Sequence, residues 1–207
     1  TVFRYGALDG ELTYKDGVLS WKAVLGAVKY EIMIEGEVVG TVESGENFFA
    51  IDSLKVAGDN KISVRFTDGK FTSEWAETSV YAHEVLLDSR GGSETANLYK
   101  AAGDPMVLPV PEKLGYTFLD WYNAPKGPES NGAKYTDEAF TDAGDLTLYA
   151  YYASNAYTLT YNVNGATETS DNIYFGKDYE LTGPASSDPT QVFGGWFTAP
   201  YGGGILY

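Results

Sequence analysis

The sequence predicts an all-β or mainly β, multi-domain fold: a β-sandwich followed by two copies of one small strand-rich module. Three observations carry this prediction. A phrase occurs twice, as Gly115-Tyr116-Thr117-Phe118-Leu119-Asp120-Trp121-Tyr122 with Ala124-Pro125, and as Thr190-Gln191-Val192-Phe193-Gly194-Gly195-Trp196-Phe197 with Ala199-Pro200. Both copies set Phe three residues before Trp, an aromatic directly after it, and Ala-Pro from the third residue onward; such self-similarity marks a repeat array. The N-terminal segment alternates apolar and polar residues with the period of two of half-buried strands. The composition, with 17 Tyr, 10 Phe, 4 Trp and 24 Gly among 207 residues, suits short strands joined by tight turns.

The first module spans residues 1–82. Leu19, Trp21 and Ala23 share one strand face, with Ser20 and Lys22 opposite. Tyr30, Ile32 and Ile34 share the next, against Glu31, Met33 and Glu35, and Ile62, Val64 and Phe66 alternate with Lys61, Ser63, Arg65 and Thr67. Glu35-Gly36-Glu37 and Thr67-Asp68-Gly69 read as hairpin turns. Further turn signals fall at Asp9-Gly10, Asp16-Gly17, Ser44-Gly45 and Gly58-Asp59-Asn60. Strands at this spacing predict a β-sandwich. The stretch Leu19-Ser20-Trp21-Lys22-Ala23-Val24, then Gly26-Ala27-Val28-Lys29-Tyr30-Glu31-Ile32, resembles the fibronectin type III family, and Ser73-Glu74-Trp75 fits the approach to its last strand.

The second module spans residues 84–153. It opens on Val85-Leu86-Leu87, turns at Asp88-Ser89-Arg90-Gly91-Gly92, and ends on the strand candidate Leu146-Thr147-Leu148-Tyr149-Ala150-Tyr151-Tyr152. The third spans residues 156–207, where Tyr157, Leu159, Tyr161 and Val163 alternate with Thr158, Thr160 and Asn162 before a turn at Asn164-Gly165. Both modules resemble the internalin-type B repeat, also called the Listeria–Bacteroides repeat. The first copy carries Asp88, Gly91, Gly92, Gly115, Tyr116, Phe118, Trp121, Tyr122 and Thr147-Leu148-Tyr149-Ala150 of that pattern, with Asp120 and Tyr152 as departures. The second carries Asn162, Asn164, Gly165, Phe193, Gly195 and Trp196, and departs at Ala166, Thr190, Gln191 and Phe197. The resemblance implies two small β-grasp-like modules. The second copy reaches Tyr207 before a Thr-Leu-Tyr-Ala block, so the expectation is an incomplete last module with an unpaired or covered sheet edge. Tyr81-Ala82-His83-Glu84 and Ala153-Ser154-Asn155-Ala156 read as short linkers without Gly/Ser character, so the modules abut.

Charge and residue counts narrow the chemistry. A formal charge of −15 opposes binding to nucleic acid or to an anionic membrane surface. The chain holds no Cys, which excludes disulfides and thiolate metal sites. No apolar run is long enough to span a bilayer. His83 is the lone histidine and reads as an exposed linker residue, and no Gly-x-Ser-x-Gly elbow is present. Asp137-Glu138, Asp142 and Asp145 lack EF-hand spacing and read as a solvated acidic loop. Asp88 and Asn162 read as bonding their own turns. Gly202-Gly203-Gly204 is followed by no Lys-Ser/Thr and is no phosphate loop. Trp121 and Trp196, at equivalent repeat positions, read as core anchors in preference to sugar platforms.

The expected function is that of a non-enzymatic, modular extracellular bacterial surface protein in adhesion or as a stalk, at the cell surface or cell wall. It needs no cofactor or metal, and its partner is a protein or glycan of unknown identity. Tyr149 and Tyr151, on one strand face, are the candidate partner contacts. The alternative is a carbohydrate-binding accessory region of a larger secreted glycan-degrading enzyme. A third idea is a stalk crosslinked by Lys–Asn isopeptide bonds.

Overall fold

A computed structural model of the chain describes residues 6–163, 169–185 and 188–207. The expected turn at Asn164-Gly165, and Ala166 with it, lie outside the described residues. The chain forms two compact units, one comprising residues up to Pro111 with Phe118–Tyr151, the other Glu112–Thr117 with Tyr152–Tyr207. Among the described residues there are twelve strands and two short 3-10 turns, and no helix long and apolar enough to cross a membrane.

In the first unit, β1 (Thr13–Lys15), β2 (Val18–Ser20) and β5 (Phe48–Ala50) form a three-stranded sheet in the order β1-β2-β5. A second sheet begins β4-β3-β6-β7, from β4 (Glu37–Glu43), β3 (Lys29–Ile34), β6 (Gly58–Thr67) and β7 (Ala76–Asp88). The inner faces of the two sheets share one core, in which Leu19 meets Tyr30, Ile32, Ile34, Ile62, Val64 and Phe66. These are the residues that the period of two places inward. Trp21 packs on Tyr30 with ring centroids 5.1 Å apart, and the Tyr30 hydroxyl accepts from the Val24 amide at 2.8 Å. Strand β2 stops at Ser20, so Ala23 lies exposed rather than sharing the Leu19 and Trp21 face; Trp21 is instead held by Asn47, whose carbonyl accepts from its amide and whose side chain donates to its carbonyl.

The hairpin at Glu35-Gly36 forms as expected, with Ile34 paired to Glu37. Glu35 and Gly36 have φ of 49° and 82°, the left-handed pair that a two-residue turn between twisted strands demands. Gly58-Asp59-Asn60 is not a turn: these residues open β6. The physical reason is the Asn60 side chain. Fully buried, it accepts from the amides of Lys55 and Val56 and donates to the carbonyls of Val56 and Gly58, all between 2.8 and 3.1 Å. Asn60→Ala removes all four bonds, and the expected loss is about 1–3 kcal/mol of unfolding free energy in urea, set by the two loop amides and two carbonyls that lose their partner.

The large sheet continues past β7 through β10 (Leu146–Ser154) to β9 (Tyr116–Tyr122), with β8 (Leu98–Lys100) also on β7. The order β8-β7-β10-β9 encloses a parallel central pair, Leu146 on Val85 to Tyr149 on Asp88. Parallel neighbours need a long crossover, and here Ser89 to Asp145 supplies it, with β8 and β9 inside it. Val85, Leu148, Trp121 and Phe140 are buried beneath this part of the sheet. Tyr81-Ala82-His83-Glu84 is not a linker but the middle of β7, because nothing in its alternation interrupts the strand. His83 is accordingly half-buried, between the rings of Tyr81 and Phe140.

In the second unit, β11 (Ala156–Tyr161) pairs antiparallel with β12 (Thr169–Tyr174). Asn155 alone separates β10 from β11, and its amide donates to Gly115 while its carbonyl accepts from Phe175. Gly115 is required here: its φ is +77°, and a Cβ would stand 2.2 Å from the Phe175 ring.

Candidate functional site

The twice-written phrase makes the same contacts around its tryptophan in both copies, although the first lies on β9 and the second, among the described residues, carries only the isolated bridge between Phe197 and Leu206. In the first copy, Phe118 packs edge-on to Trp121 at 5.8 Å and the Trp121 indole donates to the Pro109 carbonyl at 2.8 Å. In the second, Phe193 meets Trp196 at 5.2 Å and the indole donates to the Thr182 carbonyl at 3.1 Å. The carbonyl of each Trp accepts an amide from a tyrosine, Tyr135 at 2.9 Å or Tyr207 at 3.0 Å. The Ala-Pro dipeptides lead into the 3-10 turns Gly127–Ser130 and Pro200–Gly202.

One position that the sequence reading passed over closes both loops. Asn123 and Thr198 each follow the Trp-aromatic pair. Each donates its amide across the loop, to Ala133 at 3.1 Å or Ile205 at 3.0 Å, and its side-chain oxygen accepts the return amide at 2.8 Å. The available signal was a short side chain bearing an acceptor oxygen at the same repeat position.

The copies differ in burial. Trp121 is 2% exposed, a core residue. Trp196 is half-buried, with Phe193 and Phe197 more open, and it packs on Tyr161 at 4.8 Å. Tyr161, Phe193, Trp196 and Phe197 line an open groove of about 840 Å³ beside the end of β11. The Tyr161 hydroxyl donates to that of Tyr179, which in turn donates to Asp171; these bonds hold the Tyr179 phenol well above its ordinary pKa.

The candidate partner contacts Tyr149 and Tyr151 lie on β10, both half-buried, on the face opposite buried Leu148 and Ala150. Tyr151 packs edge-on to Tyr122 at 5.3 Å, and its hydroxyl donates to Glu129 at 3.3 Å. The ring stands over Gly127, where a Cβ would approach it to 2.8 Å. Tyr151 thus belongs to a fixed aromatic ledge made by β9, β10 and the 3-10 turn after the first Ala-Pro.

The acidic residues serve local structure. Asp145 accepts the Glu84 amide at 2.9 Å and faces the His83 ring at 3.6 Å. Asp137 accepts from Thr141, and Asp88 accepts the Arg90 amide of its own turn at 2.8 Å. Tyr135, partly enclosed beside Asp137 and Asp142, has its phenol pushed up to about 12, by burial first and then by those two charges. The buried Lys100 and Asn60 side chains both bond to backbone groups, Lys100 to the carbonyls of Asp52 and Pro105. The described residues thus form two packed aromatic surfaces, one on β9 and β10 and one around Trp196.

The model of the Listeria-Bacteroides repeat domain family matches residues 83–151 and 157–206, one match for each copy of the phrase. Internalin H of Listeria monocytogenes is 33% identical over 129 residues, which is 61% of this chain and 22% of that protein. Two proteins of Evansella cellulosilytica with provisional membrane-protein names, one of them Gly-rich, are 29% identical over 126 residues and 30% over 125; the matches cover 59% of this chain and 18% and 14% of theirs. The chain therefore spans less than a quarter of the length of these relatives. With more than half of its residues inside the two matches, and with both copies closing the same loop around their tryptophan, the chain belongs to the Listeria-Bacteroides repeat domain family.

Proposed function

We propose that this chain is a non-enzymatic segment of an extracellular bacterial surface protein, acting in adhesion or as a stalk at the cell surface or wall. The observation that carries the reading is the tandem array itself: one loop geometry built twice, in a chain that matches the repeat family twice and is 33% identical over 129 residues to an internalin. We further propose that residues 1–82 are a fibronectin type III-like module, with repeats at 84–153 and 156–207. The strand order β1-β2-β5 against β4-β3-β6-β7, with Trp21 buried after β2 and Tyr30 buried near the start of β3, supports the first of these. Tyr149 and Tyr151 are the partner contacts in this reading, since the ledge is aromatic, half-exposed and already ordered, which lowers the entropy lost on binding.

Protease shaving of intact cells of the source bacterium tests the location; release of peptides from this region supports it and full protection overturns it. Adhesion of the purified chain to host or matrix surfaces tests the ledge. The double variant Tyr149→Ala/Tyr151→Ala is expected to weaken adhesion roughly tenfold or more, the loss of one or two aromatic contacts at about 1–2 kcal/mol each. Unchanged adhesion by that variant excludes the ledge. The open aromatic groove around Trp196 favours a second reading, a carbohydrate-binding accessory region of a larger secreted enzyme. Saturable quenching of tryptophan fluorescence by soluble glycans, lost in Trp196→Ala, would select it.

A further inference from the structure

We propose that the N-terminal sandwich and the first repeat are one cooperative folding unit, with the half-buried Tyr14 and the buried Lys100 and Asp104 side chains as the latch between them. The family match begins at residue 83, in the interior of β7. The residues Ala76 to Ala82 of that strand pair with β6 of the sandwich, and His83 to Asp88 pair with β8 and β10 of the repeat. Ala82 and His83 are adjacent, so one uninterrupted strand carries the large sheet from the sandwich into the repeat. A hinge at this point would break a ladder on both sides of it.

The short strand β8 ties the two parts a second time. On one edge it pairs with β7; beyond it, Tyr99 accepts the Leu54 amide at 2.9 Å through its carbonyl and donates its own amide to the Ser53 hydroxyl at 2.9 Å. Ala101 belongs to the sandwich core, and Tyr99 packs against that core. Lys100 is 2% exposed, and its ammonium group donates to the carbonyls of Asp52, in the sandwich, and Pro105, in the repeat. Asp104 is fully buried; one carboxylate oxygen accepts from the Tyr14 hydroxyl of β1 and from the Ala101 amide, both at 2.8 Å. The backbone closes tightly around this junction. A Cβ on Gly17 would stand 2.8 Å from Pro105, and one on Gly103 would stand 2.5 Å from the Asp16 carboxylate.

The energetics follow from what separation would do. Pulling the parts away from each other exposes Ala101 and Tyr99 to water, breaks the bonds from Lys100 to Asp52 and from Tyr14 to Asp104, and cuts the β7 ladder in two. The apolar area re-exposed and the backbone groups left unpaired make separation costly, so neither part has a stable state without the other. The inference is independent of the surface reading above, because it concerns unfolding in solution and needs no partner.

Hydrogen exchange of the full chain in increasing urea, read by mass spectrometry, tests it. Segments over β3 and β6 report on the sandwich, and segments over 118–122 and 146–151 report on the repeat. One common midpoint is expected. Val64→Ala, a cavity in the sandwich core, is expected to raise exchange-competent opening about tenfold or more in both sets of segments by the same factor. Ile62→Val is the milder variant should Val64→Ala not fold. Two separate midpoints, or a repeat that keeps its wild-type protection while the sandwich loses its own, would overturn the proposal.

Discussion

Trp121→Ala is expected to lower the unfolding free energy of the first unit by about 3–5 kcal/mol, the range for deleting a fully buried large aromatic. The ring is 2% exposed, in a repeat whose Val85, Phe140 and Leu148 are also buried. Its loss also removes the indole bond to the Pro109 carbonyl and the edge-on contact with Phe118. Trp121→Phe separates the two causes: it keeps most of the apolar volume and forfeits the hydrogen bond, so it loses clearly less. Trp196→Ala, at the equivalent position of a half-buried ring, is expected to cost less than Trp121→Ala. Denaturant midpoints of the three variants decide the matter, and equal losses for the two alanine variants would refute the distinction in burial.

Asp104→Ala is expected to cost about 2–3 kcal/mol, because the Tyr14 hydroxyl and the buried Ala101 amide both lose their acceptor. Lys100, Tyr14 and the Ala101 amide all face this carboxylate or depend on it. Asp104→Asn retains an acceptor for Tyr14 and Ala101 and loses only the negative charge, so it destabilises less. The same cluster sets an alkaline limit. Burial, then the charge of Asp104 and the hydrogen bond to it, push the Tyr14 phenol far above its ordinary value, and Tyr135 is also raised. A phenol whose pKa is higher in the folded than in the unfolded chain contributes stability below the unfolded value and loses it as pH rises. Lys100, held below its ordinary value chiefly by burial, acts in the opposite sense, since its stability term is lost as pH falls. Two phenols with large shifts outweigh one amine, so stability measured in urea is expected to fall from about pH 9 to about pH 11, through the ordinary tyrosine range. A flat profile across that interval would contradict the burial of Tyr14 beside Asp104.

Much of the strand pattern was legible because alternation and turn chemistry are local. Leu19, Tyr30, Ile32, Ile34, Ile62, Val64 and Phe66 are buried as their spacing requires, and Glu35-Gly36 makes the turn that its residues favour. The repeated phrase announced the loop that closes around each tryptophan. Three readings failed where a local signal was answered by a distant one. Gly58-Asp59-Asn60 has turn composition, yet Asn60 spends its side chain on the preceding loop and releases its backbone to β6. His83 looked like an exposed linker residue because modules flank it, yet β7 runs straight through it. Ala23 fell out of its strand because β2 ends early.

Residue spacing alone shows that this chain is built of strands and that its last two-thirds repeat; of the two tryptophans that read as core anchors, Trp121 is buried and Trp196 only half so. The strands and the repeat both follow from residue identity at short, fixed spacing. The parallel run of β7 and β10, the one strand that serves both the sandwich and the first repeat, and the burial of Lys100 and Asp104 arise from long-range contacts in the fold. Parallel pairing joins residues about 60 apart in the chain, beyond the reach of any local period. A charged side chain goes inside only when partners from distant segments meet it there, and those partners, Tyr14 of β1 and the carbonyl of Asp52, are brought to Asp104 and Lys100 by the fold alone.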